Sequence, residues 1–293
     1  MSRASTWAAA VAGVALLAGA SGAWAADAAT LNRTAETLRA QLQADPNRSD
    51  LRAQLGETLE QLGQSQAAMA EYDQAIKGSG DTGRALVDRG RLLVHQGRFD
   101  EGRKDFNRAM SLNSRNVDAL AARGSSWVAE GKGKKATAAL DDFNAALAIR
   151  PGDPGALNAR GNFYLAILKP ELAIADFDKA LAANPKDDVV LFNRGVAYKQ
   201  INRFDSALRD FNAVLRITPG DPMTLAAKGD AYRQLGDLLL ARSFYDAALK
   251  ADPRNAMSWQ ARGEIRAALG DGPGGDADKA QAHKLDPNVE SRS

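Results

Sequence analysis

Cysteine is absent from the 293 residues. That excludes disulfides, thiolate metal sites and thiol nucleophiles, and with them a cysteine-linked lipid anchor. Histidine is nearly absent: His95 and His283 are the only two, so a histidine-based triad is not expected. Aromatics make up 6% while alanine is abundant, a balance that suits closely packed helices better than sheets. Neither sign of charge dominates. With 38 basic and 36 acidic residues the formal net charge is +2, so a nucleic-acid partner is not expected. After residue 25 there is no apolar run long enough to span a bilayer, and no membrane span is expected there.

Chemical motifs are missing as well. Gly131 to Lys135 lacks the glycine-lysine-serine/threonine ending of a phosphate loop. Asp45 to Asp50 lacks the central glycine and closing glutamate of a calcium loop. Asp141 and Asp142 are adjacent on one helix and point in two directions. No catalytic residue, cofactor site or metal site is expected.

The first 25 residues have a character of their own. Arg3 is followed by an uncharged apolar run from Ala8 to Ala20, then by Ala23-Trp24-Ala25. A charged start, a short apolar core and small residues before a cut form the secretory signal pattern. The spacing predicts cleavage after Ala25 and residence in the periplasm of a bacterial envelope. The rival reading is an uncleaved anchor, against which stand the shortness of the run and the small residues at the cut.

What fills the rest is repetition. Glycine recurs in similar contexts at Gly56, Gly90, Gly124, Gly161, Gly195, Gly229 and Gly263, with gaps of 34, 34, 37, 34, 34 and 34. In the clearest copy Leu157, Gly161, Tyr164, Ala173, Phe177, Ala180 and Pro185 fall at fixed offsets. Leu225, Gly229, Tyr232, Ala241, Tyr245, Ala248 and Pro253 repeat them. By this pattern and its 34-residue period, residues 46–287 resemble the tetratricopeptide repeat family. The resemblance implies an all-α, right-handed superhelical solenoid of antiparallel helix pairs.

The spacing has a physical reading. Leu157, Gly161 and Tyr164 share one helical face, as do Ala173, Phe177 and Ala180. A glycine inside a helix costs about 1 kcal/mol relative to alanine. Repeating that cost makes sense only where a missing side chain lets two helices close on each other. The ring of Phe106, Phe143, Phe177, Phe211 or Tyr245 is expected to fill the space against its glycine.

The ends differ from the middle. Residues 26–45 are expected to form an amino-terminal capping helix, with the helix itself over 28–44. A three-residue insertion of the third copy falls within Gly131-Lys132-Gly133-Lys134-Lys135, between its two helices. The last copy is degenerate, with Asp271-Gly272-Pro273-Gly274-Gly275 at the junction and Lys279 in the aromatic place. A disordered tail is expected at 288–293.

Two further patterns bear on function. A base precedes the glycine at Arg89, Arg123, Arg160, Arg194, Lys228 and Arg262, and an aspartate precedes the aromatic at Asp105, Asp142, Asp176 and Asp210. These are expected to pair and hold repeat register, the alternative being a basic stripe for an anionic ligand. By family analogy the first helices line a groove for a partner peptide or helix. Its candidate residues are Asn158, Asn162, Phe192, Asn193, Val196, Lys199, Asp230 and Arg233, with Phe192 as a possible anchor and Lys199 and Arg233 favouring acidic segments. The bland alternative is that Phe192 packs within the stack and the asparagines are merely solvated. Some family members clamp a carboxylate with asparagines and bases. Asn162 and Asn193 match the asparagines, but Asn158, Met223 and Ala227 replace the bases, so that clamp is incomplete. The expected role is a non-catalytic scaffold for a protein partner, with self-association as the alternative and an enzyme with an unrecognised site as a more remote one.

Overall fold

The computed structural model describes residues 24–78, 80–131 and 135–291. The expected signal, apart from Trp24 and Ala25, and the inserted residues 132–134 lie outside the described residues. Those residues form fifteen α-helices and a closing turn of 3-10 helix, with no strand among them. None of the helices is long and apolar enough to cross a membrane.

The chain divides into two units at Ile167/Leu168. The first holds α1 (Trp24–Ala44), α2 (Ser49–Gln61), α3 (Ser65–Lys77), α4 (Gly83–His95), α5 (Phe99–Leu112), α6 (Val117–Ala129), α7 (Ala136–Ile149) and α8 (Pro154–Ala166). The second holds α9 (Pro170–Ala183), α10 (Asp188–Gln200), α11 (Phe204–Ile217), α12 (Pro222–Gln234), α13 (Leu238–Ala251), α14 (Ala256–Ala268) and α15 (Gly272–Leu285), then the turn Val289–Ser291. In each unit, successive helices pack as antiparallel pairs of the tetratricopeptide type.

Local chemistry sets the boundaries. Second helices end two residues before Pro151, Pro185, Pro219 and Pro253, because the residue before a proline avoids the helical region. From the third copy on, first helices start on a side-chain cap. Asn116, Asp153, Asp187, Asp221 and Asn255 accept from the backbone N–H three residues on, at 2.7–3.0 Å. Between the helices of a pair the chain turns through a left-handed residue seven places after the repeat glycine. Gly63, Gly97, Gly131, Gly236 and Gly270 occupy it, but Leu168 (φ 57°) and Asn202 (φ 58°) stand there in the other two copies.

The glycine reading holds. A Cβ built on Gly90 would lie 2.5 Å from the Phe106 ring, and one on Gly195 would lie 2.6 Å from the Phe211 ring. Tyr72, Phe106, Phe143, Phe211 and Tyr245 are all essentially fully buried.

Three features concern the ends. The capping helix α1 begins at Trp24, earlier than 28, and its Ala35, Leu38 and Leu42 pack with Leu55, Leu59 and Tyr72. The last copy keeps a full helix pair despite its sequence. Asp271 caps α15 by accepting from Gly274 N–H at 2.9 Å, and Pro273 sits in the first turn, where it is tolerated. Gly263 faces Gly275 directly, and the Lys279 stem takes the aromatic's place beside it. At 288–293 the expected tail is instead turned back over 289–291, because Val289 is buried at 1% exposure.

Candidate functional site

The bases before the repeat glycines are committed to the stack. In the first unit Arg89 donates through Nε and Nη2 to Asp105 at 2.8 and 2.7 Å, and through Nη1 to Asp73 at 2.7 Å. Arg123 donates likewise to Asp142, at 2.9 Å through Nε, and to Asn107 at 2.6 Å. Arg160 reaches Asn144 at 2.8 Å. In the second unit Arg194 holds Asp210 and Asp178, and Arg262 holds Asp278 and Asp246, at 2.7–2.8 Å.

Arg89, Arg123, Arg194 and Arg262 therefore each join two second helices, that of their own copy and that of the copy before. The register reading is supported, and the basic-stripe reading loses its free charges. The second partner was missed at the level of sequence. Its signal was present, since an aspartate or asparagine follows the aromatic at Asp73, Asn107, Asn144, Asp178, Asn212 and Asp246. Asp278, before Lys279, was missed because the aromatic beside it is gone. These pairs are not surface pairs: the Asp105 side chain is 8% exposed and that of Asp278 is 4%. Carboxylate hydrogen bonds push the Arg89, Arg194 and Arg262 guanidinium pKa values up against the opposing effect of burial.

The first-helix face of the first unit carries Asn158 and Asn162, both half-buried on α8. Toward its start it is charged. Arg84 meets Glu57 at 2.5 Å and Asp88 at 3.6 Å, while Arg91 meets Asp88 at 3.4 Å and Asp118 at 3.8 Å. Burial pushes the Asp88 carboxyl up to about 6, although Arg91 and Arg84 pull it down. Burial, with Arg91 beside it, lowers His95.

In the second unit the expected groove residues separate into two groups. Phe192 is 5% exposed, with its ring 5.7 Å from that of Phe211, and Asn193 is 2% exposed. Phe192 is therefore core, and its role as an anchor is corrected. The same position three before the repeat glycine is buried at Ala53, Val87 and Gln260, whereas Asn158 and Ala226 keep part of their surface there. Val196, Lys199, Asp230 and Arg233 keep part of their surface. Lys199 donates to Asp230 at 2.7 Å, and Arg233 donates to Glu264 at 3.1 Å. The expected pull toward acidic segments is thereby corrected: each base has an acid on the next first helix. Burial raises the Asp230 carboxyl, yet Lys199 and the Tyr245 hydroxyl, which donates to it, hold it below its ordinary value.

Tyrosine replaces phenylalanine as the buried second-helix ring where an acid can receive its hydroxyl. Tyr72 donates to Glu60 at 3.1 Å, and Tyr245 donates to Asp230. A buried hydroxyl without such an acceptor would carry a desolvation penalty.

Comparison with known proteins agrees with this geometry. A tetratricopeptide repeat family model matches residues 53–112, 87–154 and 158–222, and a second model of the same description matches 224–255. No curated protein matches the chain. Among solved structures, a tetratricopeptide repeat protein from Parabacteroides merdae is 22% identical, with a TM-score of 0.60 over 84% of this chain and 96% of that one. PilW, a type IV pilus biogenesis factor, is 20% identical, with a TM-score of 0.65 over 73% and 98%. The pilF protein of Pseudomonas aeruginosa is 20% identical, with a TM-score of 0.61 over 72% and 94%.

Proposed function

Because the chain belongs to the tetratricopeptide repeat family, we propose that it is a non-catalytic scaffold that holds a peptide or helix of a partner protein on its first-helix face. The observation that carries this is the division of labour among polar groups. The bases beside the repeat glycines are spent inside the stack, while Asn162 stays half-buried on a first helix. An asparagine amide offers both a donor and an acceptor, which suits the backbone of an extended segment. The site of action is the periplasm, a reading supported by the signal pattern over residues 1–25. Type IV pilus biogenesis, which PilW serves, is one kind of assembly that employs such a protein.

The test is capture from an envelope extract by the wild-type chain and by Asn158→Arg with Asn162→Arg. If the variant keeps its circular dichroism spectrum, captured partner should fall at least about tenfold, equivalent to about 1.4 kcal/mol. Undiminished capture would place binding elsewhere. Export is tested by the mass of envelope-derived protein, which should begin at Ala26; an intact Met1 would overturn it.

A second reading, self-association, draws on the turn between α12 and α13. Leu235, Leu239 and Leu240 are 49%, 62% and 42% exposed there. Sedimentation over a hundredfold concentration range separates it from the first.

A further inference from the structure

The first unit has a cleft of about 400 Å³ between α5 and α6, lined by Asp100, Arg103, Lys104, Asn107, Arg123 and Trp127. It lies at a place where the repeat pattern is broken by charge. The position three before the second-helix aromatic is apolar at Leu140 and Leu208, and Leu140 packs in one cluster with Tyr164. In the second copy it is Arg103. The position six after the repeat glycine is Ile201, Leu235 and Leu269 in later copies. In the third copy it is Glu130.

The sixth copy also has a base at the first of these positions, Arg242, but in the second and third copies a base and an acid meet. Arg103 Nη1 lies 2.8 Å from Glu130, and the guanidinium sits 4.0 Å from the Trp127 ring centroid. Its side chain is only 5% exposed. A buried ion pair of this kind usually contributes less stability than the apolar pair it replaces. Its use lies in what it presents: a guanidinium fixed flat on an indole, with its orientation already set. Three cations line the cleft, Arg103, Lys104 and Arg123, with Asp100 the one carboxylate on its lining; Arg123 is held by Asp142 and Asn107 and Arg103 by Glu130, so Lys104 is the added charge. The Asp100 side chain is 90% exposed and holds Arg103 from the solvent side.

We propose that this cleft receives an aspartate or glutamate side chain from an acidic segment of the partner, which displaces Asp100 from Arg103. Lys104 supplies the second positive charge. Asn107, whose oxygen is engaged by Arg123 at 2.6 Å, supplies its NH2 as a donor to a carbonyl of the same segment. The inference rests on the reading that the partner is a protein, but it uses a surface of α5 and α6 rather than the Asn158 and Asn162 face.

The experiment is a titration of the full chain with acetylated and amidated pentaglutamate, read by the indole ¹⁵N–¹H signal of Trp127, which is assigned by its loss in Trp127→Phe. Pentaglutamine and inorganic phosphate at matched ionic strength are the controls. The expected result is a saturable shift with pentaglutamate alone. It should weaken about threefold when salt rises from about 50 to 150 mM, as screening requires. Arg103→Leu with Glu130→Ile installs the apolar pair of other copies; it should keep the helical spectrum and weaken binding at least about tenfold. Lys104→Gln, at an exposed position, should weaken binding about threefold. The proposal is overturned by no saturable shift, by an undiminished shift in the double variant, or by phosphate matching the peptide. Because no partner extract is used, this result and the capture result can fail independently.

Discussion

The ammonium of Lys228 lies 4.0 Å from the centroid of the Phe244 ring. Those are the two positions that hold an arginine and an aspartate at Arg89 and Asp105, Arg194 and Asp210, and Arg262 and Asp278. Where the carboxylate is lost the guanidinium is lost with it, and a cation–π contact replaces the ion pair. Phe244 also stacks on Tyr232 at 5.3 Å, with the rings 1° apart. Lys228 still reaches the preceding second helix through Asn212 at 2.8 Å, so the link between copies survives.

Phe244→Leu keeps an apolar side chain but removes both ring contacts. It should lower stability by about 1–2 kcal/mol in urea unfolding. Lys228→Arg with Phe244→Asp, which installs the pair of the other copies, should recover at least half of that loss. No recovery would mean that the two positions are not interchangeable.

Arg194→Ala leaves the Asp210 carboxylate, 8% exposed, without its partner and cuts the link to Asp178. The expected loss is about 3 kcal/mol, at the lower end of the range for a broken buried pair because Arg194 keeps some exposure. Arg194→Lys should lose about half as much, since an ammonium cannot reproduce the bidentate fork. Equal effects of the two substitutions would remove the geometric argument.

Gly195→Ala would place a Cβ 2.6 Å from the Phe211 ring. Helix propensity favours the alanine by about 1 kcal/mol, while overpacking costs about 1–3 kcal/mol. The net expectation is a loss of up to about 2 kcal/mol, with Phe211→Leu in the same chain making the alanine better tolerated. Denaturant midpoints of the four chains decide it. Leu168→Gly acts in the opposite sense. It relieves a left-handed φ of 57° at a side chain 66% exposed and should raise stability by about 1 kcal/mol.

Asp88 gives a pH dependence of defined sign. Its folded-state carboxyl is raised from 3.8 to about 6, so between those values the folded chain binds more protons than the unfolded one. Its contribution to stability falls as pH rises through that window. Asp88→Asn removes the effect. The stability of the variant minus that of the wild type should therefore grow by about 1 kcal/mol per pH unit from about pH 4 to 6 and level off above about 7. A difference independent of pH, measured by urea unfolding at each pH, would contradict the raised carboxyl.

The sequence by itself determined the repeat. Gly90 and Phe106, or Gly195 and Phe211, recur at one period because each copy must solve the same close approach of two helices. Contacts between near neighbours in the chain leave such a periodic record. Pro185 and Asp187 likewise state where one helix stops and the next begins, since their effects are local to the backbone. The own-copy partners of Arg89, Arg123 and Arg194 were legible for the same reason.

Only the tertiary structure decided which face each remaining side chain serves. Phe192 looked free because its offset from Gly195 matched a groove position, but its size carries the ring onto Phe211. Lys199 and Arg233 looked like open charges until Asp230 and Glu264, 31 residues on, came within hydrogen-bond reach. Nothing in the sequence singles out Arg103, whose burial on Trp127 beside Glu130 follows from the meeting of two copies. Burial and charge compensation depend on what the neighbouring copy presents at each position, and that information is distributed over residues a full repeat apart.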